Sequence, residues 1–175
     1  LVEKPLSDFK KNKLNYYIDP EEKVFVGYNL RFLKVIEELK NIIRNFEKNK
    51  TPFSLRITNT SHIKYWRNQP LKKSISLDPN RGGGALLELS HDLDLVDHLV
   101  GIDYHNSEIK RIKFPLNVSN IDSSYHCLGL SKRSIPFSIF ASLSSHVTKK
   151  VYYVDSEEVS YKVDLINHSI KTYVN

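Results

Sequence analysis

Apolar residues recur at steps of three and four in two segments, and each segment is predicted to be an amphipathic helix. The first helix is expected over residues 33–48, with an apolar face made of Val35, Ile36, Leu39, Ile42, Ile43 and Phe46. The second is expected over residues 84–100, with an apolar face made of Leu86, Leu89, Leu93, Val96 and Val100. Gly101 is a natural stop for this second helix.

Alternation of apolar and polar positions predicts that most of the remaining chain forms a sheet. One half-buried strand is expected over residues 53–58, and residues 24–28 form another β-rich run. Six further strands are predicted at residues 107–114, 124–130, 135–144, 150–155, 159–164 and 169–174. Short turns between successive strands favour an antiparallel meander. The predicted fold class is α+β, with one large, mainly antiparallel sheet and helices on one face.

The second face of such a sheet needs a cover, because the helices occupy only the first. Aromatic side chains that could line this open face are Phe137, Phe140, Tyr152, Tyr153 and Tyr161. We therefore expect the chain to form a homo-oligomer through the open sheet face.

Residues 62–81 have little periodicity and contain the aromatic sequence Tyr65-Trp66-Arg67. Long irregular segments inside compact domains are often functional, so this one is a candidate binding loop. The alternative is a surface excursion anchored by Trp66.

Composition narrows the class of protein. Apolar residues make up 40% and charged residues 26% of the 175 residues, as in soluble globular proteins, and no apolar run is long enough to cross a membrane. The net charge is +6, but the lysines are scattered, which argues against nucleic acid as a partner. The lone Cys127 fits a reducing compartment, so we expect a cytoplasmic location. Because the chain begins at Leu1 and has no Met, we expect it to be part of a longer protein.

Candidate chemistry is concentrated in residues 81–94, where three glycines open the second predicted helix. Glu88 and His91 follow three residues apart and should project from one helix face. Histidine suits proton transfer because its pKa lies near neutrality. These residues could equally be ordinary solvated helix positions. A metal site built on His91, Asp94 and His98 would need further ligands that the spacing does not nominate, so no metal is predicted.

Three segments resemble the Gfo/Idh/MocA oxidoreductases, the family of glucose–fructose oxidoreductase and inositol dehydrogenase. They are Glu3-Lys4-Pro5, the run Gly27-Tyr28-Asn29-Leu30-Arg31-Phe32, and the glycine-opened segment 82–101. The resemblance covers residues 2–101. It implies that residues 1–6 are the tail end of a nucleotide-binding domain. Residues 7–175 would be the substrate-binding and oligomerisation domain, which is the C-terminal domain of a two-domain dehydrogenase.

The resemblance also implies roles for individual residues. Lys4, His91 and Glu88 would be catalytic, with His91 as the main acid/base and Lys4 beside the substrate hydroxyl. The cofactor would contact Glu3, Lys4 and Pro5. The substrate would contact Tyr28, Asn29, Arg31, Trp66, Arg67 and Asp94. The family more often places its carboxylate four residues before the histidine. The spacing of three seen here resembles a subgroup near surface-glycan biosynthesis.

The implied activity is the NAD- or NADP-dependent oxidation or reduction of a hydroxyl-bearing carbon in a sugar or sugar nucleotide. The sequence has no Gly-x-Gly-x-x-Gly fingerprint, so the dinucleotide would be bound mainly by a separate N-terminal Rossmann domain. We therefore expect the chain to be inactive alone. Two alternatives stay open at this point. One is a non-catalytic binding or oligomerisation module, and the other is a lyase or epimerase that uses transient oxidation.

Overall fold

The computed structural model describes residues 3–4, 23, 25–66, 74–78, 80–113 and 121–174. Its helices are α1 (Lys34–Lys48), α2 (Ala85–Glu88) and α3 (His91–Val100). Its strands are β1 (Phe53–His62), β2 (Ile102–Ile112), β3 (Ser124–Ser131), β4 (Pro136–Ser142), β5 (Ser144–Ser156), β6 (Val159–Asp164) and β7 (Ser169–Val174). None of these described helices is both long and apolar enough to span a bilayer.

The seven strands form one sheet in the order β2-β3-β4-β1-β5-β6-β7. β1 runs parallel to β4, and every other neighbouring pair is antiparallel. The predicted α+β class with a mainly antiparallel sheet is confirmed. The prediction of one continuous meander is wrong, because β1 lies between the consecutive strands β4 and β5. Alternate side chains of β1 are buried on one face of the sheet, and β1 is hydrogen-bonded to a neighbouring strand along each of its edges.

One contiguous core fills the space between the helices and one face of the sheet. Strand positions opposite one another across neighbouring strands supply its base: Leu55, Ile57, Phe137, Ile139, Tyr152 and Val154. Helices α1 and α3 supply its cover: Ile36, Leu39, Ile43, Leu95, Val96 and Leu99. Each fully buried side chain of this size contributes about 1.5–3 kcal/mol, so this packing fixes where α3 sits on the sheet.

The proposed aromatic cover of the open sheet face is only partly correct. Phe137 lies opposite Leu55 and Tyr152 lies opposite Ile57, so both face the buried core. Tyr161 lies opposite Val154 and shares that side. Successive side chains of a strand alternate between faces, which leaves Phe140 and Tyr153 on the open face. There the Phe140 ring lies 4.7 Å from His126, and the Arg56 guanidinium lies 4.4 Å from the Tyr153 ring centre.

The β-rich run at residues 24–28 does not form a regular strand over the residues described, 25–28. Val26 makes a single bridge, and the Tyr28 amide then donates to the Val26 carbonyl at 2.8 Å. This tight turn leads into the 3-10 helix Asn29–Phe32, which ends where the Leu33 amide donates to the Leu30 carbonyl. The segment therefore leads into a 3-10 helix that contacts α1 and α3.

The single helix predicted over residues 84–100 is broken into α2 and α3 at Leu89 and Ser90. The Ser90 hydroxyl donates to the Leu87 carbonyl at 2.9 Å, and the buried Tyr125 hydroxyl donates to the Leu89 carbonyl at 3.1 Å. Side-chain donors that bond backbone carbonyls compete with the helical ladder. As a result, His91 is the first residue of a new helix.

The glycine turn before α2 accommodates a carboxylate of the chain itself. The Ala85 amide donates to the Asp122 carbonyl and the Leu86 amide donates to Asp122 Oδ2, both at 2.8 Å. Asp122 is buried and also pairs with Arg111. Gly84 has a φ of +125°, and a Cβ there would lie 2.5 Å from Asp122 Oδ1. Asp122 therefore caps the start of α2 from within the chain.

Substitution of Gly84 tests this cap. Gly84→Ala adds a clash with Asp122 to the backbone strain of about 1–3 kcal/mol that a positive φ imposes. Gly101→Ala is the matched control, because Gly101 also has a positive φ but a Cβ there would meet only Lys132 at 3.6 Å. Urea unfolding followed by circular dichroism should show a larger loss of unfolding free energy for Gly84→Ala. Equal losses in the two variants would contradict the packing of Asp122 on this turn.

Candidate functional site

A cavity of about 400 Å³ lies where the break between α2 and α3 meets the end of β1 and the middle of β5. It is lined by Lys4, Asn59, Thr60, Ser61, Trp66, Glu88, Leu89, His91, Thr148, Lys149, Lys150 and Ile166. Four residues that the sequence nominated are in this set: Lys4, Glu88, His91 and Trp66. They come from distant parts of the chain, so the fold brings together side chains whose proximity no local pattern could show.

Lys4 is held at the C-terminal end of α2. Its ammonium group donates to the Glu88 backbone carbonyl at 2.8 Å and lies 3.7 Å from Glu88 Oε2. The side chains of Lys4 and Glu88 are 16% and 20% exposed. A cation is stabilised at a helix C-terminus by the exposed carbonyl groups, which explains this docking. The ion pair makes Lys4 the partner of Glu88, and the catalytic role of Glu88 stays a prediction.

His91 is half-buried at the first position of α3. Its Nδ1 atom has no hydrogen-bond partner among the described residues, and its ring packs edge-on against Tyr28 with 5.4 Å between ring centres. Burial lowers the pKa of His91 to about 4, and the positive charges of Lys150 and Lys4 act in the same direction, while Asp94 opposes them. The imidazole is therefore neutral at pH 7 and able to accept a proton.

Arg31 and Asp94 form a two-pronged ion pair beside this cavity. Arg31 Nε donates to Asp94 Oδ2 at 2.8 Å, and Nη2 donates to Oδ1. The Arg31 guanidinium also lies 6.0 Å from the centre of the Tyr28 ring. The pair ties the 3-10 helix Asn29–Phe32 to α3 and so holds Tyr28 against His91. Neither Arg31 nor Asp94 lines the cavity, and contact of either with a substrate stays a prediction.

Trp66 forms part of the cavity wall. Its indole Nε1 donates to Ser61 Oγ at 2.9 Å, which anchors the segment after β1. Trp66 therefore serves as an anchor and also faces the cavity. The role of residues 62–81 as a binding loop or a surface excursion stays a prediction.

The remaining nominated residues do not line the cavity or cannot be placed. Asn29 is exposed on the 3-10 helix, and Glu3 is exposed next to Lys4. Pro5 and Arg67 lie outside the described residues. Their assignment to cofactor or substrate binding stays a prediction.

The geometry does not support a metal site built on His91, Asp94 and His98. His98 Nε2 lies 3.1 Å from the Lys40 ammonium group of α1, and burial together with the charge of Lys40 lowers the pKa of His98. Asp94 is paired with Arg31. Within the described ranges, no group of three or more His, Cys, Asp or Glu side chains could hold a metal ion.

Sequence reasoning missed a buried polar network directly beneath the cavity. The Asp92 carboxylate is fully buried and accepts hydrogen bonds from Asn59 Nδ2 and the Tyr152 hydroxyl, both at 2.6 Å. Burial raises the pKa of Asp92, while the charge of Lys150 and the two hydrogen bonds oppose that shift. Two signals could have revealed the network. Asn59 continues the inward-facing alternation of β1, and Asp92 is three residues after Leu89 on the apolar helix face.

Comparison with solved structures identifies the fold. Levoglucosan dehydrogenase in complex with NADH and levoglucosan superposes with a TM-score of 0.68 at 16% identity, over 85% of this chain and 42% of that chain. UDP-N-acetylglucosamine 3-dehydrogenase GnnA from Acidithiobacillus ferrooxidans has a TM-score of 0.63 at 15% identity, over 86% and 43%. The WlbA dehydrogenase from Bordetella pertussis, in complex with NADH and UDP-GlcNAcA, has a TM-score of 0.60 at 16% identity, over 81% and 40%.

These structures are sugar dehydrogenases of the Gfo/Idh/MocA type, so the resemblance predicted from the three sequence motifs is confirmed at the level of the fold. The chain spans less than half the length of each of them. No protein-family model matches the sequence, and no curated protein matches it.

The charges around His91 generate a testable prediction. Burial contributes most to the lowered pKa of His91, and Lys150 is the charge that lowers it most, so Lys150→Met should raise that pKa part of the way from about 4 towards the usual value near 6.5. Lys149→Met is the matched control, because Lys149 is exposed and does not shift the pKa of His91. Imidazole NMR resonances followed across a pH series measure both variants. An unchanged His91 pKa in Lys150→Met would contradict this electrostatic coupling.

Proposed function

We propose that this chain is the substrate-binding and proton-transfer part of an NAD(P)-dependent oxidoreductase acting on a hydroxyl group of a sugar or sugar nucleotide. The observation that carries this proposal is the meeting of Lys4 and His91 in one cavity, within a fold shared with sugar dehydrogenases. Two of those structures are complexes with NADH and a sugar or sugar nucleotide, which supports the same classes of ligand here.

Lys4 and His91 can both take part in removing the proton from a substrate hydroxyl group. A neutral His91 at pH 7 accepts the proton, and general base catalysis of this kind contributes about 10²–10⁴-fold in rate. The Lys4 ammonium, held by Glu88, donates a hydrogen bond to the same oxygen and stabilises its developing negative charge. NAD(P), when bound, supplies the hydride acceptor. Tyr28, held by the Arg31–Asp94 pair, packs against the imidazole ring.

The described residues do not supply the phosphate-binding part of a dinucleotide site. The glycine turn at residues 82–84 is capped by Asp122, whose carboxylate takes the place that an anion would occupy at the start of α2. We therefore assign dinucleotide binding to a separate Rossmann domain of the same protein and expect no turnover by this chain alone. The boundary would fall near residue 6, with the substrate domain over residues 7–175.

The open sheet face is the proposed surface for homo-oligomer formation. Leu128 is 65% exposed on this face of the sheet, which also carries Phe140 and Tyr153. We also propose a cytoplasmic location, where NAD(P) and sugar nucleotides are available as reactants. Sedimentation of the full-length protein as a monomer would contradict the first of these two proposals.

The test of the function uses the full-length protein. Sugars and sugar nucleotides are screened with NAD⁺ and NADP⁺, and formation of the reduced cofactor is followed by its absorbance. With an active substrate, His91→Asn should lower kcat by about 10²–10⁴-fold because the base is lost. His105→Asn, which changes an exposed histidine of β2, is the matched control and should leave kcat unchanged. Wild-type turnover in His91→Asn would overturn the role of His91.

A further inference from the structure

Lys150 differs in its surroundings from Lys4, the other partly buried lysine of the cavity. It lies opposite Asn59 in the β1–β5 register, on the side of the sheet that faces α3. Among the described residues, its side chain makes no hydrogen bond or ion pair. Lys4, in contrast, is paired with Glu88. The cavity thus contains a half-buried lysine whose three hydrogen-bond donors find no acceptor in the part of the chain that the structure describes.

The nearby carboxylates of Glu88 and Asp92 have other partners. Glu88 already pairs with Lys4. Asp92 attracts the charged form of Lys150, but its two oxygens accept from Asn59 and Tyr152 beneath the cavity floor. Burying a charge without a partner is costly, so proteins pair such groups or keep them for a ligand. The positive charge at Lys150 therefore favours a ligand that brings its own negative charge.

We infer that Lys150 is the anion-binding residue of this cavity, and that the substrate carries a carboxylate or phosphate group within reach of it. The inference rests on the proposed function and adds the class of sugar: one with an anionic substituent close to the hydroxyl group that His91 deprotonates. Lys149 and Lys4 add to the positive field that attracts such a ligand.

An anion at Lys150 has a consequence for His91. The charges of Lys150 and Lys4 help to lower the pKa of His91, so neutralising Lys150 with a bound anion raises that pKa. A base with a higher pKa takes a proton more readily, provided that it stays neutral at the working pH. Substrate binding would thereby strengthen the base that acts on it, whereas a neutral sugar of the same shape would not.

The test compares three probes on the full-length protein: glucuronate, glucose 6-phosphate and glucose. Isothermal titration calorimetry measures binding, and the NMR titration of His91 measures its pKa with and without each probe. We expect glucuronate or glucose 6-phosphate to bind at least about tenfold more tightly than glucose, as expected for a charge-assisted hydrogen bond. The preferred anion should also raise the pKa of His91. A preference between the two anions identifies carboxylate or phosphate as the recognised group.

Variants of Lys150 decide whether this residue is responsible. Lys150→Met should remove the preference for the anion and the rise in the His91 pKa, and Lys150→Arg should keep both. Lys149→Met is the matched control and should retain at least the pKa response. Equal binding of glucose and both anions by the wild-type protein would overturn the inference, as would an undiminished preference in Lys150→Met.

The outcomes separate this inference from the proposed function. Lys150-dependent binding of an anion without oxidation of any sugar would support the anion site and count against the dehydrogenase. Oxidation of neutral sugars that does not depend on Lys150 would support the dehydrogenase and overturn the anion site.

Discussion

The buried carboxylate of Asp92 is the interaction on which the candidate site depends. It lies in the first turn of α3 and accepts hydrogen bonds from Asn59 of β1 and Tyr152 of β5, the two strands at the centre of the sheet. A buried carboxylate is stable only when such donors satisfy it, so α3 has one favourable position over these strands. His91 precedes Asp92 directly, and its place in the cavity follows from that anchor.

A second constraint sets the relation between Glu88 and His91. In one continuous helix they would form a neighbouring pair on the surface. The break at Leu89 and Ser90 separates them, and Glu88 instead holds Lys4, a residue from the start of the chain. The break thus serves the site, because it places a cation and a neutral base on two sides of one cavity.

Local periodicity predicted most elements but could not predict their neighbours. The bounds of β6 (Val159–Asp164) and β7 (Ser169–Val174) agree with the alternation pattern. This agreement arises because apolar and polar residues alternate along a strand when one of its faces is buried. The central position of β1 depends on pairing with strands more than 70 residues away, which one strand's pattern does not encode. The helix break likewise depends on Tyr125, a distant donor. For the site, four of the nominated residues line the cavity, namely Lys4, Glu88, His91 and Trp66. Lys150 belongs to no motif, and its place follows only from the register of β5.

The place of β1 in the sheet has a consequence for synthesis of the chain. Both of its neighbours, β4 and β5, lie far downstream, so β1 leaves the ribosome long before either partner exists. Loop closure over such distances slows folding, and an unpaired strand exposes backbone groups on both edges. A nascent chain that stops after β3 would keep β1 without a partner on either side. The pairing of β1 with β5 is complete only after residue 156 has been made.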